Sequence, residues 1–285
     1  MQFGINTYLF SPRFTTESTS LFPLFKQWGY DGVEIALEEA TDIDPVGVKR
    51  ALDEHGLTCR SLCAVLGPGR DLRGTEPEQQ AALRYLLALL ELMPRLGNTV
   101  LIGPLYSAVG RADLVPPDEY QQQWETVATH LKVLAAKAEA LDVTLALEPL
   151  NRYETDFINT CEQALRLIEE VGSPALKVHL DTFHMNLEEK DPAAAILRAG
   201  NRLGHVHASG SDRGTPGGDQ INWDRIFLAL KQVNYTGEVV IESFTPDVKV
   251  IAKAASIWRQ VEPSPQAIAV EGLRFLQAKA QLHGI

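Results

Sequence analysis

The predicted fold depends on one stretch, which reads Leu145-Ala146-Leu147-Glu148-Pro149-Leu150-Asn151-Arg152-Tyr153-Glu154. Its first three residues form an apolar run that is typical of a buried strand, and Glu148 places a carboxylate at the carboxyl end. Pro149 ends the strand, because proline has no backbone N–H to donate to a ladder. The stretch therefore predicts a buried strand that delivers one acidic side chain to the edge of a sheet.

Three later segments repeat this pattern. They read Lys177-Val178-His179-Leu180-Asp181, Leu203-Gly204-His205-Val206-His207 and Glu238-Val239-Val240-Ile241-Glu242. In a parallel barrel, the carboxyl ends of consecutive strands meet at one rim. We therefore expect Glu148, Asp181, His207 and Glu242 to converge there.

The rest of the chain alternates strands and helices at similar spacing. The predicted strands are Gln2 to Thr7, Gly32 to Ile35 (closed by Glu34 and Glu38), Thr58 to Cys63, Thr99 to Gly103, Val143 to Glu148, Ala175 to Asp181, Leu203 to His207 and Glu238 to Ser243. The predicted helices are Leu21 to Trp28, Pro45 to about Gly56, Glu76 to Leu96, Asp118 to Leu141, Thr160 to Val171, Pro192 to Ala199, Trp223 to Val233, and a tail from Val248 to Leu282 divided by Pro263 and Pro265. Eight crossover units of one hand close readily into a barrel. The expected fold class is α/β, a (β/α)8 TIM barrel, as a single domain over residues 1–285 with a C-terminal helical extension from about residue 248.

Composition narrows the range of partners. A chain of 285 residues that is 45% hydrophobic can bury one large core. Its net charge of −11 argues against a nucleic-acid partner, which needs a Lys/Arg-rich face. No apolar run is long enough to span a bilayer and no signal core is present, so we expect no membrane partner and a cytoplasmic location. Cys59, Cys63 and Cys161 lack paired spacing and are expected to stay reduced, with Cys63 at the same rim as the four converging side chains.

Three carboxylates and one imidazole are donors that suit a divalent cation such as Mn²⁺, with Mg²⁺ or Co²⁺ as alternatives. A single acid at the end of a strand is more often solvated or caps the next helix, but four such residues in succession favour a metal site. A cation surrounded by carboxylate bases suits proton removal from a carbon next to a carbonyl. The residues therefore predict a metal-dependent enzyme that acts on a small carbonyl compound.

These motifs resemble those of a known family. The strand ends, with Leu147-Glu148-Pro149-Leu150-Asn151, Leu180-Asp181-Thr182-Phe183-His184-Met185-Asn186, His205-Val206-His207-Ala208-Ser209, Arg213-Gly214 and Ile257-Trp258-Arg259, are similar to those of the ketose 3-epimerases related to D-tagatose, D-psicose (allulose) and L-ribulose 3-epimerase. These enzymes are xylose isomerase-like TIM barrels. The resemblance extends from Phe3 to about Leu276 and implies a metal-dependent isomerase that inverts C3 of free ketoses through a cis-enediolate.

The resemblance also implies roles for individual residues. It makes Glu148, Asp181, His207 and Glu242 the ligands of one divalent ion, with Glu148 and Glu242 as the acid/base pair on opposite faces of the sugar. Contacts with the sugar near C1 to C3 fall on Glu154, His184 and Arg213. Asn6, after the first strand, and Cys63, at the rim, are further candidates for substrate contacts by their position in the chain. Members of the family carry aromatic residues after the first strand, where this chain has Asn6-Thr7-Tyr8, so we expect the preference among ketoses to change there. The implied partners are a ketose substrate and further copies of the chain, in a homodimer or homotetramer.

Three other functions remain open from the sequence. A sugar or hydroxypyruvate isomerase uses a similar metal to move hydrogen between adjacent carbons. A sugar-phosphate 3-epimerase needs an anion-binding loop, for which the run from Gly210 to Gly218 is the candidate. A sugar-binding barrel without turnover needs no second base, so the pair Glu148 and Glu242 argues against it.

Overall fold

The computed structural model describes all 285 residues, and its centre is a closed parallel barrel of eight strands. The strands are β1 Gln2–Asn6, β2 Gly32–Ala36, β3 Ser61–Cys63, β4 Val100–Gly103, β5 Thr144–Leu147, β6 Leu176–Asp181, β7 Leu203–Ala208 and β8 Glu238–Ile241. Each strand pairs with the next along the chain, and β8 pairs with β1. The predicted (β/α)8 barrel is confirmed.

Ten α-helices surround or follow the strands. They are α1 Phe22–Trp28, α2 Pro45–His55, α3 Glu76–Leu96, α4 Pro117–Ala140, α5 Cys161–Val171, α6 Thr182–Glu188, α7 Pro192–Ala199, α8 Trp223–Gln232, α9 Lys249–Ala254 and α10 Pro265–His283. The boundaries follow local chemistry. At α2, for example, the Asp44 side chain accepts from Val46 and Gly47 N–H groups, and Gly56 ends the helix in the left-handed region at φ +61°.

Two elements differ from the sequence prediction. The third strand begins at Ser61 rather than at Thr58, which makes only an isolated bridge to Gly32. The short helix α6 was not predicted, because Phe183-His184-Met185-Asn186 is too short to show a helical period. Asp181, the last residue of β6, caps this helix by accepting from Phe183 N–H at 2.7 Å.

The main apolar core lies between the barrel and its helices, with Tyr30, Phe25 and Trp124 among its largest fully buried side chains. Leu145 and Leu147 of β5 belong to this core, whereas Ala146 between them belongs to a second, smaller cluster. This alternation is the two-residue period of a strand whose faces are both buried. No helix of the structure is both long enough and apolar enough to cross a membrane.

The second cluster makes one half of the barrel mouth apolar. Strand register places Ala36, Cys63, Ile102 and Ala146 side by side on β2 to β5. All four are buried, and they pack with Tyr8 and Phe244. Strands β6 to β8 instead bring polar side chains to the mouth. The mouth is therefore apolar on one side and polar on the other.

Candidate active site

The four side chains expected to converge do so. The donor atoms of Glu148, Asp181, His207 and Glu242 all lie within 4.8 Å of one another. Each residue is at most 7% exposed, and each stands at or next to the carboxyl end of β5, β6, β7 or β8. Such a compact set of three carboxylates and one imidazole fits a single divalent cation with a preference for oxygen donors.

A buried glutamate of β2, which was predicted only as a residue near the end of that strand, orients His207. Glu34 lies within β2, is fully buried, and its Oε1 is 2.7 Å from His207 Nε2. Burial would raise the pKa of Glu34, but His207 and His205 more than offset this and hold the pKa well below its usual value. An ionised carboxylate can only accept, so Nε2 carries a proton and Nδ1 faces the cluster, 3.4 Å from Glu242 Oε2.

The fit to a metal ion rests on that second nitrogen. His207 Nδ1 is buried and has no hydrogen-bond partner in the protein. Burial would lower the pKa of His207, but Glu34 and Glu242 raise it well above its usual value, so Nδ1 carries a proton when no cation is bound. A metal ligand with its other N–H donated to a carboxylate is a common arrangement in metalloproteins. The site therefore has the chemistry of a metal centre.

Further polar side chains fill the barrel below the cluster. Glu34 Oε2 lies 2.8 Å from His205 Nε2, and Glu34 Oε1 accepts from Asn6 Nδ2 at 2.7 Å. Asn6 Oδ1 in turn accepts from the Tyr8 N–H at 2.8 Å. His179 packs edge-on against the His207 ring, and burial lowers its pKa so that it stays neutral. A strand such as Val33-Glu34-Ile35, with one acid between buried apolar residues, is the sequence signal for this layer.

Arg213 supplies a positive charge directly to the cluster. Its Nη1 lies 2.6 Å from Asp181 Oδ2 and 3.1 Å from Glu242 Oε2, and its guanidinium sits 4.2 Å from the centre of the Phe183 ring. Burial would lower the pKa of Arg213, but Asp181 and Glu242 raise it. Its backbone adopts φ +65°, a left-handed conformation that is uncommon outside glycine and is often found at functional sites.

His184 and Arg213 meet as two hydrogen-bond donors. His184 Nδ1 accepts from the Asn151 N–H at 3.0 Å, which leaves the ring proton on Nε2. That Nε2 lies 2.9 Å from Arg213 Nη2, a group that can only donate. Burial and the Arg213 charge lower the pKa of His184, so the ring is neutral. Neither nitrogen can accept from the other, and an oxygen of a bound ligand that lies next to both would accept from both.

The two catalytic candidates have different environments. Burial, followed by the nearby Glu242 carboxylate, raises the pKa of Glu148 well above its usual value. For Glu242, burial acts in the same direction, but the nearby charge of His207 outweighs it and lowers the pKa. Burial also raises the pKa of Glu154, which accepts from Asn151 Nδ2 at 2.7 Å.

A cavity of about 210 Å³ opens onto the cluster. Its lining includes Glu148, Glu154, His184, Arg213 and Glu242 among the predicted polar residues, and Cys63 on the apolar side. Asp181 and His207 lie beneath it. Asn6 does not line the cavity, because both ends of its amide are bonded within the protein. The structure thus brings together all the predicted site residues except Asn6, which contacts the cluster from below at 3.4 Å from Glu242 Oε1.

The loop from Gly210 to Gly218 offers few free amides to an anion. Six of its backbone N–H groups donate within the protein: Gly210 to Gly214 O, Arg213 to Gly210 O, Gly214 to Asp212, Thr215 to Glu262, Gly217 to Asp219 and Gly218 to Thr215 O. The two others, of Ser211 and Asp212, adjoin the Asp212 carboxylate, which repels an anion. An anion-binding nest requires successive N–H groups that converge on empty space. The expectation that this loop is a candidate phosphate cradle therefore finds no geometric support.

Known proteins resemble this chain in sequence and in fold. A profile of the family described as "Xylose isomerase-like TIM barrel" matches residues 22–279. The chain is 36% identical over 284 residues to a probable ketose 3-epimerase of Synechocystis sp., covering 99% of this chain and 97% of that protein. It is 31% identical to a D-psicose 3-epimerase of Enterocloster bolteae, covering 92% of this chain and 89% of that protein. The crystal structure of a D-allulose 3-epimerase from Methylomonas sp. in complex with D-allulose matches with a TM-score of 0.90 at 29% identity, covering 98% and 97% of the two chains. The chain therefore belongs to the xylose isomerase-like TIM barrel family, among its ketose 3-epimerases, and is an isomerase of the racemase and epimerase class.

Proposed function

We propose that this protein catalyses the metal-dependent epimerisation at C3 of free ketoses, of the D-fructose/D-psicose, D-tagatose/D-sorbose and L-ribulose/L-xylulose type. The observation that carries the proposal is the placement of Glu148 and Glu242 on the wall of one cavity, above the convergence of Asp181 and His207. The Methylomonas enzyme that this chain resembles was solved with D-allulose, a free ketohexose.

The proposed metal ligands are Glu148, Asp181, His207 and Glu242. A divalent cation held there supplies Lewis-acid polarisation of the sugar carbonyl. Mn²⁺ is the ion we propose, with Co²⁺ or Mg²⁺ as substitutes, because three of the four donors are oxygens and no thiolate is present. Together with Arg213, a divalent ion balances the three carboxylate charges.

Inversion of a carbon requires proton removal on one face and proton return on the other, and therefore two groups. Glu148 follows β5 and Glu242 follows β8, so the two carboxyl groups reach the cavity from different strands. We assign them as the acid/base pair.

We propose that Arg213, His184 and Glu154 hold the sugar near C1 to C3. Arg213 Nη2 and His184 Nε2 are neighbouring hydrogen-bond donors, and a carbonyl or hydroxyl oxygen of the sugar can accept from both. Glu154 accepts from a sugar hydroxyl with the oxygen not engaged by Asn151. Asn6 acts through Glu34 rather than on the sugar, and Cys63 contributes to the apolar wall, since burial raises the pKa of its thiol well above its usual value.

The alternatives receive less support. For a sugar phosphate, Arg213 is the only basic side chain that lines the cavity, and its Nη1 is engaged by Asp181 and Glu242. An aldose–ketose or hydroxypyruvate isomerase remains compatible with the metal cluster but needs no second base on the opposite face. A binding barrel without turnover needs no second base, so it gives no reason for both Glu148 and Glu242 to line the cavity.

The test is incubation of the purified protein with Mn²⁺ and a panel of free ketohexoses and ketopentoses, followed by chromatographic separation of the products. We expect the C3 epimer and no aldose. Exclusive aldose formation would favour the isomerase. Faster turnover of D-fructose 6-phosphate than of D-fructose, lost in Arg213→Ala, would transfer the protein to the sugar-phosphate enzymes.

A further inference from the structure

The cavity has an acidic residue on the side where the wall is otherwise mainly apolar. Glu38 follows β2 and lines the cavity together with Val65 and Pro104 from the loops after β3 and β4. The roof over this side is also apolar, and includes Ile251 of α9. Glu38 is not part of the metal cluster and has no role in the mechanism above.

The Glu38 side chain is held in place by the protein. Its Oε1 accepts a hydrogen bond of 2.7 Å from the Tyr8 hydroxyl, and its backbone carbonyl accepts from Arg70 Nη1 at 2.8 Å. Tyr8 is only 5% exposed, and burial raises the pKa of its hydroxyl, so it remains a donor. A carboxylate can accept about four hydrogen bonds. Glu38 receives only one from the protein, which leaves Oε2 available to donors in the cavity.

The barrel topology places Glu38 far from the strand of Asp181. In the closed ring, β2 stands opposite β6, four strands away in either direction. A ketose with its C1 to C3 end at Arg213 and the metal ligands therefore extends its other end toward the loops after β1 to β3. Two groups of this region, Tyr8 and Glu38, are chemically able to recognise hydroxyls there.

We propose that Glu38, oriented by Tyr8, is a specificity-determining residue that accepts hydrogen bonds from the hydroxyls at the end of the ketose remote from the metal. This inference rests on the proposed function. A ketopentose ends one carbon earlier and leaves Glu38 Oε2 without a sugar hydroxyl to accept from, and a site built to bind a hydroxyl discriminates against a ligand that lacks it. A terminal phosphate brings a like charge to the same carboxylate and is repelled.

The test compares D-fructose with D-xylulose, which has the same configuration at C3 and C4 and is one carbon shorter. We expect wild-type protein to prefer D-fructose. Glu38→Leu should lower kcat/KM for D-fructose by about 10- to 100-fold, mainly through KM, because one or two hydrogen bonds to a charged acceptor are lost. The value for D-xylulose should change by less than about threefold. Glu38→Gln keeps an acceptor for Tyr8 and should give an intermediate loss.

A third substrate separates recognition from a general structural effect. D-fructose 6-phosphate should gain in kcat/KM relative to D-fructose in Glu38→Gln, because the repelling charge is removed while the shape is kept. The matched control is Asp42→Asn, since Asp42 also follows β2 but pairs with Arg13 and does not line the cavity. This control should leave kcat/KM unchanged for all three substrates.

The outcomes distinguish the two proposals. A wild-type enzyme that epimerises ketoses, with a hexose-to-pentose ratio that Glu38→Leu and Glu38→Gln leave unchanged, overturns the role of Glu38 and leaves the proposed function intact. A wild-type enzyme that epimerises no ketose overturns both. If Glu38→Leu does not fold, as judged by its thermal melt, Glu38→Gln and Tyr8→Phe decide the question through the same ratios.

Discussion

Replacement of Glu34 by glutamine is expected to weaken metal binding, although Glu34 is not itself a proposed ligand. Glu34 Oε1 accepts from His207 Nε2 at 2.7 Å, and Oε2 lies 2.8 Å from His205 Nε2. Glutamine has nearly the same shape but no charge, and its amide nitrogen donates where one histidine now donates. The His207 ring then loses the partner that directs its Nδ1 toward the cluster.

The expected magnitude follows from the contact that is lost. A hydrogen bond to a charged group contributes about 1.5 to 3 kcal/mol to a folded structure. Loss of such a partner of a metal ligand typically weakens metal binding about 10- to 100-fold, which corresponds to about 1.4 to 2.8 kcal/mol. The two estimates agree, so we expect the Mn²⁺ dissociation constant of Glu34→Gln to rise by about 10- to 100-fold.

Calorimetric titration of the stripped protein with Mn²⁺ measures this change. The matched control is Glu238→Gln, because Glu238, in β8, is likewise buried and its carboxylate has no hydrogen-bond partner. Burial raises the pKa of Glu238 to about 8, so glutamine resembles its protonated form at neutral pH. Unchanged Mn²⁺ affinity in a folded Glu34→Gln protein would refute the reasoning.

Four further predictions follow from the same geometry. Chelation with EDTA should abolish epimerisation, and Mn²⁺ or Co²⁺ should restore it better than Zn²⁺; full activity of the stripped protein would exclude the metal mechanism. Glu148→Gln and Glu242→Gln should each lower turnover by about 10²- to 10⁴-fold, with one variant still exchanging the C3 proton with solvent deuterium without inversion; near-normal turnover of either would refute the two-base assignment. Because the pKa of His207 is raised, Mn²⁺ must displace a proton from its ring, and the affinity for Mn²⁺ should fall as the pH drops below that pKa. Calorimetry in buffers of different ionisation enthalpy should detect the released proton, and the absence of proton release would contradict this prediction. Asp156→Ala should lower the free energy of unfolding by about 3 kcal/mol, because the fully buried Arg73 side chain, 2.6 Å from Asp156 Oδ1, would lose its counter-charge. A loss below about 1 kcal/mol, measured by urea unfolding, would argue against this role of the ion pair.

Some expectations remain predictions. The organisation of residues 1–285 as one domain with a C-terminal helical extension, the cytoplasmic location and the homodimer or homotetramer are among them. Size-exclusion chromatography with light scattering measures the oligomeric state directly. The identity of the resident metal is accessible to elemental analysis of protein purified without added ions.

The sequence by itself determined the barrel and the four positions that converge at its mouth. Apolar runs that end in Glu148, Asp181, His207 and Glu242 are local patterns, and parallel strands of a barrel necessarily bring such ends to one rim. Helix boundaries were likewise local, as at Pro45 and Gly56, because caps depend on neighbouring residues.

Only the tertiary structure decided which other side chains contact those four residues. Glu34 reaches His207 across 173 positions of sequence, and this contact depends on barrel closure and on which face of β2 points inward. Arg213 reaches Asp181 from a loop whose backbone is left-handed at Arg213. The sequence does not predict this conformation, because residues other than glycine rarely adopt it. The pairing of Tyr8 with Glu38 joins the loops after two strands in the same way. Strand pattern predicts the position of a side chain along the barrel axis, whereas register and closure decide what it meets across the barrel.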